Sequence, residues 1–226
     1  MNAVSLTLSG IRLEAQASGA LWWADRRLLA VSDLHLGRSG RQARLGGALL
    51  PPYDSAETLD RLAAAIDALR PAVVVCTGDS FDDDAAAGAD DPALDGLVRL
   101  IAGRQWIWIA GNHDPAPVTI GGEWRRELRL GPLTFRHRAD PAAKGEVSGH
   151  LHPKVTIAGR SHRCFLADGR RIVLPAFGAY TGGLACRDGA IASLMDPGAV
   201  AILTGRRALA VPLPGQSSPR AATAST

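Results

Sequence analysis

The sequence predicts one α/β domain: a mostly parallel sheet with helices between its strands, followed by an antiparallel half. Three observations carry this. Between residues 28 and 110, apolar runs bounded by turn residues dominate, as strands buried on both faces require. Helical periodicity lies between those runs. After Gly121 short apolar runs alternate with Gly, Pro and Asp turns, the texture of antiparallel sheet.

In chain order, runs at 28–32, 72–76 and 106–110 lead into Asp33, into Thr77-Gly78-Asp79 and into Gly111-Asn112-His113-Asp114. A helix between the first two runs is capped by Asp54 or Ser55, carries Leu59, Leu62, Ala63, Ile66 and Leu69 at helical spacing, and stops at Pro71. A second helix, 92–101, sets Leu94, Leu97, Val98 and Ile101 on one face before Gly103. This order gathers ligands at the carboxyl ends of the strands. Further strands are expected at 128–130, 133–135, 155–158, 164–167, 171–174, 191–194 and 208–211. The domain spans 1–211, and the Ser-, Ala-, Pro- and Thr-rich stretch 212–226 reads as a disordered tail. Trp106 and Trp108 sit in an apolar strand and read as core, whereas one of Trp22 and Trp23 should reach solvent.

At 226 residues, 46% apolar and 21% charged, the chain buries a core without staples, which excludes intrinsic disorder and a disulfide mini-scaffold. No apolar run is long enough to cross a bilayer, and residues 1–10 lack a cationic stretch followed by an apolar core, so no secretory signal is expected. Cys76, Cys164 and Cys186 are odd in number, with no CxxC, and read as reduced thiols in a cytoplasm. A net charge of +3 is not that of a polybasic nucleic-acid binder. Only Lys144 and Lys154 are lysines, and the arginine excess reads as genome composition.

Five of the six histidines fall in polar loops after expected strands, beside Asp, Asn or Gly: His35, His113, His137, His150 and His152. His162 fits no pattern and reads as a surface residue. On an extended segment, alternate residues point the same way, so Asp33 with His35, and His150 with His152, can face one cluster. Imidazole and carboxylate together suit Mn, Fe, Zn, Co or Ni rather than Mg or Ca. Asp33, Asp79, three or four imidazoles and an Asn amide are too many donors for one ion and enough for two that share a carboxylate. Such a centre, near a charge of +1 with a hydroxide, attracts phosphate.

The blocks Asp33-x-His35, Gly78-Asp79-x-x-Asp82, Gly111-Asn112-His113-Asp114, His137 and Gly149-His150-x-His152 resemble the calcineurin-like metallophosphoesterase superfamily. The strings at 32–37, 78–81, 106–115, 149–153 and 175–183 resemble its ligase-associated DNA damage response endonuclease branch. The resemblance covers residues 3 to 211 and implies a four-layer α/β/β/α sandwich. It implies one metal on Asp33, His35, Asp79 and His152, a second on Asp79, Asn112, His137 and His150, and Asp79 bridging them. Of Mn, Fe, Zn and Co, manganese is the leading candidate. His113 would contact the phosphate and protonate the leaving oxygen, with Asp82 orienting it, although close relatives often carry His at that position.

The activity implied is phosphodiesterase or endonuclease action on DNA in repair, by in-line attack of a metal-bridging hydroxide on phosphorus. A ligase, a helicase and a nuclease are implied as partners by family association. Arg38, Arg41 and Arg44 are candidates to clamp a phosphate, the alternative being a solvated loop. A small-molecule phosphoesterase acting on nucleotides or cyclic nucleotides would use the same cluster. A non-catalytic scaffold is disfavoured because no ligand is missing, and a protein Ser/Thr phosphatase because Asp83 stands where those enzymes place Arg.

Overall fold

A seven-stranded sheet runs in chain order: β1 (Ala3–Leu8), β2 (Ile11–Gln16), β3 (Leu21–Trp23), β4 (Leu28–Val31), β5 (Val73–Cys76), β6 (Gln105–Ile109) and β7 (Glu123–Arg125). The computed structural model describes residues 2–44, 46, 53–82, 92–116 and 120–213, without the side chains at 43, 44, 92 and 93. β4, β5 and β6 are parallel, as expected of the three apolar runs, and β7, which no run announced, adds a fourth parallel strand. The meander β1 to β4 is antiparallel. Its first two strands escaped the sequence reading, although Val4-Ser5-Leu6-Thr7-Leu8 and Ile11-Arg12-Leu13-Glu14-Ala15 alternate with the period of a half-buried strand.

The second sheet comprises β8 (Glu127–Leu130), β9 (Leu133–Arg136), β10 (Glu146–Ser148), β11 (Lys154–Ile157), β12 (Arg160–Ala167), β13 (Arg171–Val173), β14 (Val200–Leu203) and β15 (Leu209–Pro212). Its order is β15-β14-β12-β13-β10-β9-β8, with β11 paired to β12 alone. The expected antiparallel character is corrected at its centre, where β10 lies parallel to both β9 and β13. β10 holds one apolar residue, Val147, so no run announces it, and the connections that flank it are too long for hairpins.

One further expectation fails for a physical reason. The run 191–194 is not a strand: Ile191 and Ala192 end a one-turn helix, Gly189–Ala192, and 193–194 follow it as a turn. Asp188 caps that helix by accepting the Ala190 N–H at 2.9 Å, and Ile191 and Met195, four apart, are both buried. β15 runs to Pro212, and Leu213 is buried. Residues 214–226 lie outside the described residues.

Alternation sorts side chains between layers. Leu28, Ala30, Val75, Ile107 and Ile109 face the second sheet and meet Phe135, Val147, Phe165 and Ile172. Leu29, Val31, Val74, Cys76, Trp106 and Trp108 face the helices. Trp23 enters the first cluster and Trp22 the second, so neither reaches solvent: a layer covers each face of the sheet. A third cluster lies between the outer face of the second sheet and the short helix, completing a four-layer sandwich with one thin layer.

The helical layer consists of α1 (Arg38–Arg44), α2 (Asp54–Leu69) and α3 (Pro92–Ile101); the short helix at 189–192 is α4. Asp54 and Ser55 do not cap α2, whose N-cap position is Tyr53. They tie down the segment entering α1 instead: Ser39 donates to Asp54 through N (3.0 Å) and Oγ (2.8 Å), and the Gly37 N–H donates to Ser55 Oγ at 2.9 Å. In α3, Leu94 and Leu97 are buried, but Val98 is 47% exposed, because the stripe meeting the sheet is narrower than expected.

Phe165→Ala is expected to lower unfolding stability by about 3–5 kcal/mol in urea titrations, while Val98→Ala stays within about 0.5 kcal/mol.

Candidate metal centre

Three of the polar blocks follow β4, β5 and β6 at their carboxyl ends. The parallel register of β4 with β5 continues beyond the strands: Asp33 N donates to Gly78 O (3.1 Å), His35 N to Asp79 O (3.0 Å) and Leu36 N to Ser80 O (2.9 Å). The two blocks are therefore zipped side by side. Their residues are not extended, however. Asp33, His35, Asp79, His150 and His152 all have positive φ, between 45° and 67°. Alternate left-handed residues, rather than a strand's pleat, aim these side chains, at a cost of about 1–3 kcal/mol each that the surrounding bonds must offset.

Both central carboxylates are held by one oxygen and offer the other. Asp33 Oδ2 accepts the His150 N–H at 3.0 Å and the Ser32 hydroxyl, leaving Oδ1 buried without a hydrogen bond and 2.9 Å from His152 Nε2. Asp79 Oδ1 accepts the N–H groups of Asn112 (2.8 Å) and His113 (2.9 Å), while Oδ2 lies 3.3 Å from His137 Nε2. Burial opposes the charge on Asp33, but the neighbouring His152 and His137 rings and Ser32 outweigh it and hold the carboxyl below its usual range. Asp79 is depressed likewise, burial being overcome chiefly by His137 and the His113 N–H.

Three groups of donors converge among the described residues; one of them, His35, Asp82 and His113, shares His35 with the first of the two sets that contain a central carboxylate. In the first, Asp33, His35 and His152 converge. His35 bonds the Asp82 carboxylate through Nδ1 at 2.8 Å, and its Nε2, like His152 Nε2, is buried without a hydrogen bond. In the second, Asp79, His137 and His150 converge. His137 Nδ1 bonds the Thr77 carbonyl at 3.0 Å, so the ring in its neutral form presents a lone pair at Nε2, which faces Asn112 Oδ1 (3.0 Å), His150 Nδ1 (3.2 Å) and Asp79 Oδ2. Burial opposes protonation of His137, but the Asp79 and Asp33 carboxylates outweigh burial and raise its pKa. Lone pairs converging on common points, with buried nitrogens left unbonded, suit cations; second partners on His35 and His137 fix the rings as ligating histidines require.

Asp82 does not orient His113 through its side chain. Its carboxylate goes to His35, and its backbone carbonyl meets His113 Nδ1 at 3.0 Å. His113 is thereby held with Nε2 free, its ring 5.2 Å from that of His35. Arg41 and Arg38 approach the Asp82 carboxylate at 3.2 and 3.7 Å. Burial opposes ionisation of Asp82, but His35, Arg41 and Arg38 outweigh it and lower its pKa. The side chain of Arg44 lies outside the described residues. His162, half-buried on β12, joins neither set.

The model of the calcineurin-like phosphoesterase family matches residues 26–178, more than half of the chain and every residue of both donor sets. The chain belongs to that family. Among solved structures, nuclease MPE of Pseudomonas putida is 25% identical, with a TM-score of 0.72, covering 93% of this chain and 100% of its own. Looser matches are Yfce, a phosphoesterase from E. coli (16% identity, TM-score 0.37, 70% of this chain and 83% of that one), and a conserved uncharacterised protein of Streptococcus pneumoniae (14%, 0.32, 82% and 96%). No curated protein matches significantly.

As a calcineurin-like phosphoesterase, the chain is a metal-dependent enzyme, and the donor chemistry fits divalent ions. Residues beyond the expected set make the geometry possible. The buried Asp114 carboxylate accepts four backbone N–H groups: Asp79 and Gly111 at 3.0 Å each, Ser80 at 2.7 Å and Phe81 at 3.2 Å. It binds the β5 loop to the β6 loop, and its place in the Gly111–Asp114 block was the one signal for it. Arg163 holds the 176–179 segment behind Asp33 by donating to Gly178 O (2.7 Å) and Ala179 O (2.6 Å). Nothing in its strand context marked it. A Cβ on Gly78 would strike His137, one on Gly111 Asp79 and Asp114, and one on Gly149 Ser32 and Asp33.

Gly149→Ala is expected to reduce bound metal to a small fraction of the wild-type amount in elemental analysis of folded protein. Gly189→Ala, which meets nothing within 4 Å, is expected to keep the full complement.

Proposed function

We propose that this phosphoesterase is a dinuclear-metal nuclease that hydrolyses phosphodiester bonds in DNA, with manganese as the leading candidate ion. Asp33, His35 and His152 would hold one ion, and Asn112, His137 and His150 the other, with Asp79 shared. The observation that carries this reading is the convergence of two buried donor sets whose carboxylates are each anchored by a backbone N–H and each offer one oxygen. When bound, the two ions supply an activated water for in-line attack on phosphorus and screen its oxygens.

The protein's own residues do the rest. His113, whose Nδ1–H is fixed by the Asp82 carbonyl, presents Nε2 to the leaving oxygen and, as the imidazolium, donates the Nε2 proton there and is left neutral. Asp82 positions His35 and keeps Arg38 and Arg41 at the rim of the site. Likeness to the Pseudomonas putida nuclease along nearly the whole chain supports nucleic acid as substrate. The branch resemblance supports a role in repair beside a ligase, a helicase and a second nuclease. Three free, buried cysteines suit a reducing cytoplasm, and among the described residues no helix is long and apolar enough to cross a membrane.

A side-by-side assay with manganese on single-stranded or nicked DNA, a cyclic nucleotide and bis(p-nitrophenyl) phosphate tests this. DNA cleavage is expected, and cleavage of the small esters alone would replace the nuclease reading with a small-molecule phosphoesterase. Asp79→Asn is expected to lose both ions. His113→Ala is expected to keep them and lose about 10²–10⁴ in turnover, and full turnover in the loaded variant would remove the acid from the scheme.

A further inference from the structure

Beside the second donor set lies an open groove of 320 Å³, at the lower end of the range for small-molecule sites, lined by Asn112, Arg126, Glu127, Arg136, His137 and Arg138. It occupies the seam between the two sheets. Arg126 is the one residue between β7 of the first sheet and β8 of the second, and the Ala110 N–H, donating to Arg125 O at 2.8 Å, keeps that crossing against the start of the Asn112 loop. Arg138 follows His137, and its Nη2 lies 3.4 Å from Asn112 Oδ1.

The charges in the groove do not balance. Arg136 is met by Glu127 (2.9 Å), Asp140 (3.3 Å) and Glu146 (3.6 Å), and Glu127 is also met by Arg129 at 2.7 Å. Arg126 and Arg138 are exposed, and neither faces a carboxylate among the described residues. Arg38 and Arg41, expected from the sequence to grip substrate, both lean on Asp82. On the flank of Asn112 and His137, Arg126 and Arg138 are therefore the guanidinium groups that no carboxylate meets among the described residues.

We infer that this groove is a nucleic-acid subsite, in which Arg126 and Arg138 hold the backbone phosphate next to the scissile one. The inference rests on the nuclease reading and deepens it. A guanidinium donates two parallel N–H groups to a phosphate, so the pair fixes the direction in which the strand leaves the metal centre without reading bases.

The test compares wild type with Arg126→Ala, Arg138→Ala and the double variant on a single-stranded oligonucleotide and on bis(p-nitrophenyl) phosphate, which has no neighbouring phosphate. The ratio of kcat/KM for oligonucleotide to that for the small ester is expected to fall about tenfold in the double variant. In fluorescence anisotropy of labelled oligonucleotide without divalent ions, the dependence of log affinity on log salt is expected to flatten by about 0.7 for each arginine removed. Arg138→Lys, which keeps the charge, is expected to restore part of the ratio. An unchanged ratio, or equal losses on both substrates, overturns the subsite and leaves the nuclease reading standing. Wild-type enzyme that cleaves the small ester and no oligonucleotide overturns both.

Discussion

Four backbone N–H groups that donate to one buried carboxylate, Asp114, bind the loops after β5 and β6 into a single unit. Asp79 stands in that unit with one oxygen bonded to the Asn112 and His113 N–H groups and the other facing His137. A buried carboxylate must satisfy its lone pairs, and buried N–H groups must find acceptors. Here each requirement meets the other. The arrangement leaves one oxygen of Asp79, and by a parallel device one oxygen of Asp33, turned toward the imidazoles. The remaining architecture serves to present these two oxygens.

That presentation requires backbone conformations that isolated residues avoid. Five candidate ligands lie in the left-handed region although none is glycine. Their conformations are held by the continued β4–β5 register, by the Phe177 and Gly178 N–H groups donating to Ser32 O and Asp33 O, and by glycines whose missing Cβ lets the loops touch. The two-sheet core beneath supplies the rigidity, with Phe135 two residues before His137 and Val147 three before His150. Strain at the site and tight packing below it are parts of one arrangement.

The electrostatics divide the site into two flanks. On one, the single Asp82 carboxylate gathers His35, Arg38 and Arg41. On the other, arginines follow the second donor set directly, and only Arg136 is neutralised. The arginines of the first flank share a carboxylate, whereas Arg126 and Arg138 on the second meet none among the described residues. The overall charge of +3 conceals this, because a sum carries no positions.

Much of this was legible in the chain itself. The apolar runs located β4, β5 and β6, and the loops rich in histidine and aspartate marked candidate ligands, because metal chemistry admits few side chains and they stand at strand ends. What the sequence could not settle depended on partners distant in the chain: the parallel pairing of β10, the helical turn of Ile191 and Met195, the burial of both Trp22 and Trp23, the turn of Asp54 toward α1, and the choice of Asp82 between His35 and His113. Apolar patterning determined which strands would be buried, and the motif blocks with the family resemblance marked which residues could ligate. Tertiary structure alone decided which oxygen of each carboxylate is free, which arginine is already paired and where the backbone turns left-handed, because those are settled by hydrogen bonds between segments that meet only after the two sheets have packed.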